Sequence, residues 1–245
     1  GILKMIDLMA FRKGVGAIFA DGSKIAATRL EKAAEKLAMH TGGVEPAMHD
    51  PRCWPGFGYG YVLDPTPGHH CQGPVGFMEH GWTDRDIQPY MDLSGLPENK
   101  YDYTGKGPYL AILNNWFHFF NGTGLCILGK FTYYRYPVIE MLRALTGWED
   151  FTMEEALQAG ERINTLRQLF NLQEGLVSHR DFALPKRLQG DPPFEDGPTA
   201  GRTLDMDGVA KDYYRSMGWS IDTGTPSQEN LQRLGISELV EQRTK

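Results

Sequence analysis

The chain has 245 residues, 41% of them hydrophobic, enough for one large or two small domains with a sizeable core. A formal net charge of -6 leaves no electrostatic footprint for nucleic acid or for an anionic membrane surface. No stretch approaches the ~18 consecutive apolar residues that span a bilayer, and the longest apolar run, YLAILNNWFHFF, is interrupted by polar side chains.

In chain order, the sequence opens without an initiator Met and already in helical rhythm. Ile2, Met5, Ile6 and Met9 recur at i, i+3, i+4 and i+7, and no signal peptide precedes them. The expectation is that more of the same protein lies before Gly1. Residues 23–40 predict a helix with Ala26, Leu30, Ala33 and Leu37 on one face and Ser23 as its N-cap. From about 41 to 107 the chain is dense in Gly and Pro and reads as irregular; loops this long are uncommon and usually functional. An apolar helix is predicted over 108–120, with Pro108 in its first turn and the glycines of NGTGLC ending it. Another runs over 136–146. Thr152 and Glu155 form a capping box that opens a long helix, with Ala156, Ile163, Leu166 and Phe170 on one face. The stretch 180–203 is a Pro-rich loop, 205–217 a helix, and GWSIDTGTPSQENLQRLGI a turn followed by a short capped helix. No segment carries a strand period and there is no internal repeat. The fold class is all-α, with long Gly/Pro-rich loops.

The chemistry concentrates in DPTPGHHCQGP, residues 64–74, where prolines and glycines frame His69, His70 and Cys71. A zinc site, a catalytic histidine and a merely structural loop are three readings of this stretch. Structural zinc uses ligands paired two to four residues apart, twice, and here Cys53 and Cys126 each stand alone. Histidine is the side chain best suited to give and take protons near neutral pH, so His70 is a candidate acid–base group; a satisfied structural histidine is the bland alternative. The three cysteines are odd in number and widely spaced, which argues against a disulfide framework and fits a reducing cytoplasm. Asn121-Gly122-Thr123 is a glycosylation sequon, relevant only in a secretory protein. Cys126 closes NGTGLC, a glycine-rich turn that can aim several backbone N–H groups into one space. A thiolate there could bind iron, but a cluster ordinarily takes four thiolates and this chain has three cysteines. Cys126 is therefore either a core residue or one ligand of a cluster completed from elsewhere.

Several stretches, in order and nearly end to end, match a known family: MAFRKGVGAIFADG, AMHTGGVEPAMHDPR, GFGYGYVLDPTPGHH, NGTGLC, INTLRQLFNLQEG, Leu184-Pro185 with Arg187, YYRSMGW and LGI. The chain resembles the C-terminal part of the tungsten-containing aldehyde:ferredoxin oxidoreductases. The resemblance implies that residues 1–40 end a second helical domain and 41–245 form the third. An N-terminal β domain that cradles a tungsten (or molybdenum) bis-pterin would lie outside this chain. It implies that Cys126 is the fourth ligand of a [4Fe–4S] cluster, that Asn121, Gly124, Leu125 and Gln72 contact the pterin, and that His70 is the catalytic histidine. Asn121 stands where the family has Asp, and Gln72 where it has Lys. Each departure removes a formal charge, one negative and one positive. Cys53 and Cys71 match no ligand of the family, and His69 is expected to face a backbone partner or solvent.

The reading is an oxidoreductase that converts aldehydes to carboxylic acids, in the cytoplasm, with electrons leaving through the cluster to a ferredoxin-like acceptor and with a homodimer as a further expectation. The alternatives are another low-potential reaction of the superfamily, such as reduction of an aromatic acyl-thioester or a carboxylic acid, and a non-catalytic helical interaction domain.

Overall fold

A computed structural model of the chain describes residues 1–72, 76, 79, 87–91, 99–130, 136–176 and 181–241. Its elements are α1 (Ile2–Ala10), α2 (Gly16–Phe19), α3 (Gly22–Arg29), a 3₁₀ turn (Lys32–Lys36), α4 (Pro55–Leu63), a second 3₁₀ turn (Gln88–Tyr90), α5 (Lys106–Gly122), α6 (Ile127–Lys130), α7 (Val138–Thr146), α8 (Met153–Gln173), α9 (Lys186–Gln189), α10 (Met206–Ser216), α11 (Gln228–Arg233) and α12 (Ser237–Glu241). Among the described residues β structure is limited to isolated bridges, such as Thr41 with Val44. The all-α expectation matches.

The core forms around α5, whose residues from Leu110 to Phe120 are almost all buried. A helix apolar on every side belongs inside; α8 and α10 cover it, and α4 packs against α10. The approach of α8 is unusually close: a Cβ on Gly160 would lie 1.7 Å from the Asn115 carbonyl oxygen. Only a residue without a side chain fits there. The two helices are pinned by polar groups as well as apolar ones. Asn164 Nδ2 donates to Asn115 Oδ1 (3.2 Å) and to the Tyr213 hydroxyl (3.1 Å), which also accepts from Asn114 (3.2 Å). These groups are buried, where an unmet hydrogen bond costs about 1–3 kcal/mol, so the network fixes which faces of α5, α8 and α10 meet.

Helix α8 starts as expected: Thr152 Oγ1 accepts from the Glu155 N–H and the Glu155 carboxylate accepts from the Thr152 N–H. Its buried face is only partly the expected one. Met153, Ala156, Gly160, Asn164, Thr165 and Gln168 point inward, whereas Leu166 and Phe170 are exposed. The polar network draws the Asn and Gln side chains in and turns the larger apolar ones out.

Further expectations need correction. The helix expected over 23–40 ends at Arg29, because Leu30 turns extended, and Leu30, Ala33 and Leu37 are exposed. Ser23 lies inside α3 and is not its cap; the Glu45 carboxylate takes the Ser23 N–H instead, at 2.6 Å. The supposed irregular region 41–107 contains α4, a nine-residue helix buried at every position. Pro55 is pre-set for its first turn, and buried Glu79 accepts the Gly56 N–H (2.9 Å) while pairing with Lys106 (2.7 Å). Burial raises the Glu79 carboxyl above the ordinary range, with Lys106 pulling the other way. The short helix α9 similarly interrupts the Pro-rich loop 180–203. Helix α5 begins at Lys106, two residues before the expected start, with Pro108 still in its first turn.

Candidate functional site

The segment 64–72 leaves the end of α4 and is fastened along its length. Asp64 is fully buried; its Oδ1 accepts the Thr66 N–H (2.7 Å), and its Oδ2 lies 3.0 Å from His118 Nε2 on α5, close but out of line for a hydrogen bond. From α8, Asn171 donates to the Pro65 carbonyl (2.8 Å) and Arg167 to the Thr66 hydroxyl (3.1 Å). The Gly68 N–H donates to the Tyr61 carbonyl (3.0 Å), and the Gly68 carbonyl accepts from the Ala47 N–H (3.3 Å). The prolines and glycines bend the chain, and neighbouring helices satisfy the backbone groups that no regular element uses.

This framework carries His69 and His70. His69 is exposed and its Nδ1 accepts the Cys71 N–H at 3.1 Å, the backbone partner expected of it. His70 is partly buried. Its ring centroid lies 5.0 Å from that of His49 and 5.8 Å from that of His69. His49 lies flat on Phe57, with centroids 4.3 Å apart and ring planes within 10°. Burial, then His49, then His69 push the His70 imidazole below its ordinary value, because a proton on His70 would be poorly solvated and would face two neighbouring imidazoles. The neutral ring can accept a proton at one nitrogen while donating from the other. His49 lies within AMHTGGVEPAMHDPR but was not singled out by sequence reasoning; its place in the site comes from the fold of a segment twenty residues upstream.

Asn121, in the last turn of α5, closes the far side. Its Nδ2 donates to the Cys71 carbonyl (3.0 Å) and to Gln72 Oε1 (3.2 Å). These two uncharged side chains are thus hydrogen-bonded to each other. Cys71 is half-buried, and its thiol is pushed up by burial and then by the nearby Cys126. Cys126 itself is exposed, just before α6. The turn between them depends on Gly124, at φ 79°, in the left-handed region that side chains rarely adopt. Among the described residues a Cβ there would meet nothing within 4 Å, so they leave the space beside the turn open. Leu125 packs partly against the core, and its N–H reaches only weakly toward the Thr123 hydroxyl (3.4 Å).

The structure therefore brings Gln72, Asn121 and the Gly124–Cys126 turn to the loop that bears His70. Cys53 is held elsewhere, its N–H on the Asp50 carbonyl and its own carbonyl near the Tyr101 hydroxyl. Among the described residues no group of three or more His, Cys, Asp or Glu is arranged to hold a metal ion. The fit to a cluster is that of a single ligand: one exposed thiol beside an open turn, with further thiolates needed from outside this chain's three cysteines. The fit to a pterin is a neutral one, offered by the Asn121 and Gln72 amides, bonded to each other, and by the backbone of the Gly124 turn. A larger cleft of about 870 Å³, lined by Ile112, Glu154, Leu157, Glu161, Arg215 and Arg233 among others, contains none of these residues.

The family model described as aldehyde ferredoxin oxidoreductase, domains 2 and 3, matches residues 1–236. The chain is 32% identical over 236 residues to a tungsten-containing aldehyde ferredoxin oxidoreductase of Pyrococcus furiosus, which covers 95% of this chain and 36% of that protein. It is 30% identical over 241 residues to the protein of the same name from Pyrococcus abyssi and 29% identical over 238 residues to that from Thermococcus kodakarensis, again with 96% of this chain and 36% of the relative covered. The chain spans little more than a third of the length of these relatives.

Proposed function

The chain belongs to the aldehyde ferredoxin oxidoreductase family, and on that premise we propose that it forms the C-terminal part of an enzyme oxidising aldehydes to carboxylic acids and passing the electrons to a ferredoxin. What supports this reading is the meeting at one place of the loop that bears His70 and Gln72, Asn121 at the end of α5, and the turn that leads to Cys126. A division near residue 40, a preceding β domain, a cytoplasmic setting and a homodimer are parts of the same proposal.

In such a reaction an aldehyde and water become a carboxylic acid, two protons and two electrons. The tungsten–pterin group, when bound, would take up the electron pair, and a [4Fe–4S] cluster with Cys126 as one ligand would carry it onward. Asn121, Gly124, Leu125 and Gln72 would contact the pterin. His70 acts on the substrate. As a neutral imidazole it either donates a hydrogen bond to the carbonyl oxygen or accepts the proton that attacking water releases. The burial that lowers its proton affinity keeps it neutral at the pH where either role is needed. His69 holds the Cys71 N–H and so shapes the turn after His70 without facing the substrate.

The test is metal analysis of the anaerobically purified full-length protein. Tungsten or molybdenum with about four irons per chain is the expected result. Protein free of both metals after anaerobic preparation would sink the redox reading and favour a helical interaction domain. Metal-loaded protein inert toward aldehydes but active on an aryl acyl-thioester or a carboxylic acid would favour the second reaction class, for which the uncharged Asn121–Gln72 pair is the motivating observation.

A further inference from the structure

The Cys71 carbonyl oxygen can only accept a hydrogen bond, so the Asn121 atom 3.0 Å from it must be the amide nitrogen. That assignment fixes the whole side chain. One proton of the NH₂ group goes to Cys71 and the other to Gln72 Oε1, at 3.2 Å. The Asn121 main-chain carbonyl meanwhile accepts from the Gly124 N–H (3.2 Å), which ties the same residue to the turn before Cys126. His70 therefore sits between two fastenings. The Gly68 backbone bonds hold the chain before it, and Asn121 holds the peptide just after it.

We propose that Asn121 and Gln72 form a single latch that positions His70, and that the residues at 121 and 72 are exchangeable only as a pair. With Gln72 in place, a carboxylate at 121 has no proton to offer and would set an anionic oxygen against the Cys71 carbonyl at the distance of a hydrogen bond. With Asn121 in place, an ammonium at 72 offers no acceptor, so the second Asn121 proton loses its partner. A carboxylate at 121 with an ammonium at 72 restores the set. The ammonium has three protons, and can donate both to the carboxylate and to the Cys71 carbonyl. An amide–amide pair and a carboxylate–ammonium pair are thus two self-consistent latches, and the mixed pairs are neither. Asn121 acts on the reaction through the loop, as a positioning residue, and Gln72 completes it. The inference rests on the proposed role of His70, but its test needs no bound cofactor and so stands apart from that reading.

The experiment compares Asn121→Asp, Gln72→Lys, the double variant and Gln72→Glu in the intact protein. Two quantities are read: the thermal midpoint, and the ring carbon and proton signals of His70 by NMR, assigned through His70→Gln. Each of the first two single variants is expected to lower the midpoint by about 5 °C and to move the His70 signals. The double variant is expected to recover at least half of both changes. Gln72→Glu keeps an acceptor facing Asn121 and is expected to leave the His70 signals in place, which keeps the idea testable if Asn121→Asp fails to fold. A double variant whose His70 shifts equal the sum of the singles would overturn the pairing. His70 signals unmoved by Gln72→Lys, or moved as far by Gln72→Glu as by Gln72→Lys, would overturn the latch.

Discussion

At the scale of single residues, His70 and its neighbours separate catalysis from architecture. In metal-loaded protein, His70→Asn is expected to lower turnover per bound metal by roughly 10²–10⁴-fold, the usual worth of a positioned acid or base. Metal content should stay near the parent level, and His69→Asn should be much milder, since that ring faces solvent and a backbone N–H. Near-parental turnover per metal in His70→Asn would make the residue scaffold. The same side chain has a signature in stability. Its folded proton affinity lies below the unfolded one, so the folded state binds fewer protons in that range. Stability is then full above about pH 6.5, declines as the pH falls through that value, and stops declining below the lower folded value. His40 is depressed in the same direction, first by burial and then by Lys24. Thermal melts from pH 7.5 to 5 should therefore lose part of their acid slope in His70→Gln and, separately, in His40→Gln. Parallel slopes in parent and variants would show that neither proton affinity is shifted by folding. For Cys126, Cys126→Ala is expected to lower the iron content of the full-length protein, with Cys53→Ala and Cys71→Ala as controls that retain it. An unchanged reduced-cluster spectrum would remove Cys126 as a ligand.

At the scale of elements, the α5–α8 crossing is the tightest glycine contact among the described residues. Gly160→Ala places a methyl group where the Asn115 carbonyl already stands, so the helices must separate and the Asn164 bonds to Asn115 and Tyr213 must stretch. A cost of about 3 kcal/mol or more is expected, at the upper end for overpacking. Thr152→Ala, which removes one half of the capping box, should cost only about 1 kcal/mol. Denaturant midpoints of the two variants check the ranking, and equal losses would mean the crossing can relax. The capping box was legible in the sequence because it is a local contract between residues three apart. The inward face of α8 was not, because periodicity counts apolar side chains and the network buries Asn164 and Gln168 while leaving Phe170 outside. Helix α4 was hidden for a related reason. Three glycines in nine residues read as a breaker, and burial on all sides leaves no amphipathic period to detect. In the site, the residues were nameable from motifs, but the bond between Asn121 and Gln72 joins positions 49 apart. The same holds for His49 beside His70, which no spacing rule brings together.

At the scale of the whole molecule, apolar surface is unevenly shared. In α1 no residue is buried, and Ile2 and Leu3 are about 80% exposed. Its apolar rhythm is clear in the sequence, and among the described residues α2 covers part of that face only at the Leu8–Met9 end. An environment-sensitive apolar dye should bind the chain, and the combined change Ile2→Gln, Leu3→Gln, Ile6→Gln should reduce its fluorescence by at least half without altering the thermal midpoint. A fall in the midpoint would show that the face packs within the chain in solution. Among the described residues no helix is long and apolar enough to cross a membrane.

Helix α5 meets the segment 64–72 twice, at His118 and at Asn121, three residues apart on the helix. Three residues of α-helix advance about 4.5 Å, whereas the chain between Asp64 and Cys71 is several times longer when extended. The segment is thus a bow whose ends are clamped to one short length of rod. Bonds from α4 and α8 fasten its middle, so the end at Cys71 is freed when the rod yields, and the part that yields first in a helix is its terminal turn. The Cys71 amide should therefore exchange with solvent in step with the Gly122 and Thr123 amides, and faster than those at Trp116 and Phe117. Loosening the end of α5 would open the histidine loop, and tightening it would hold the loop shut.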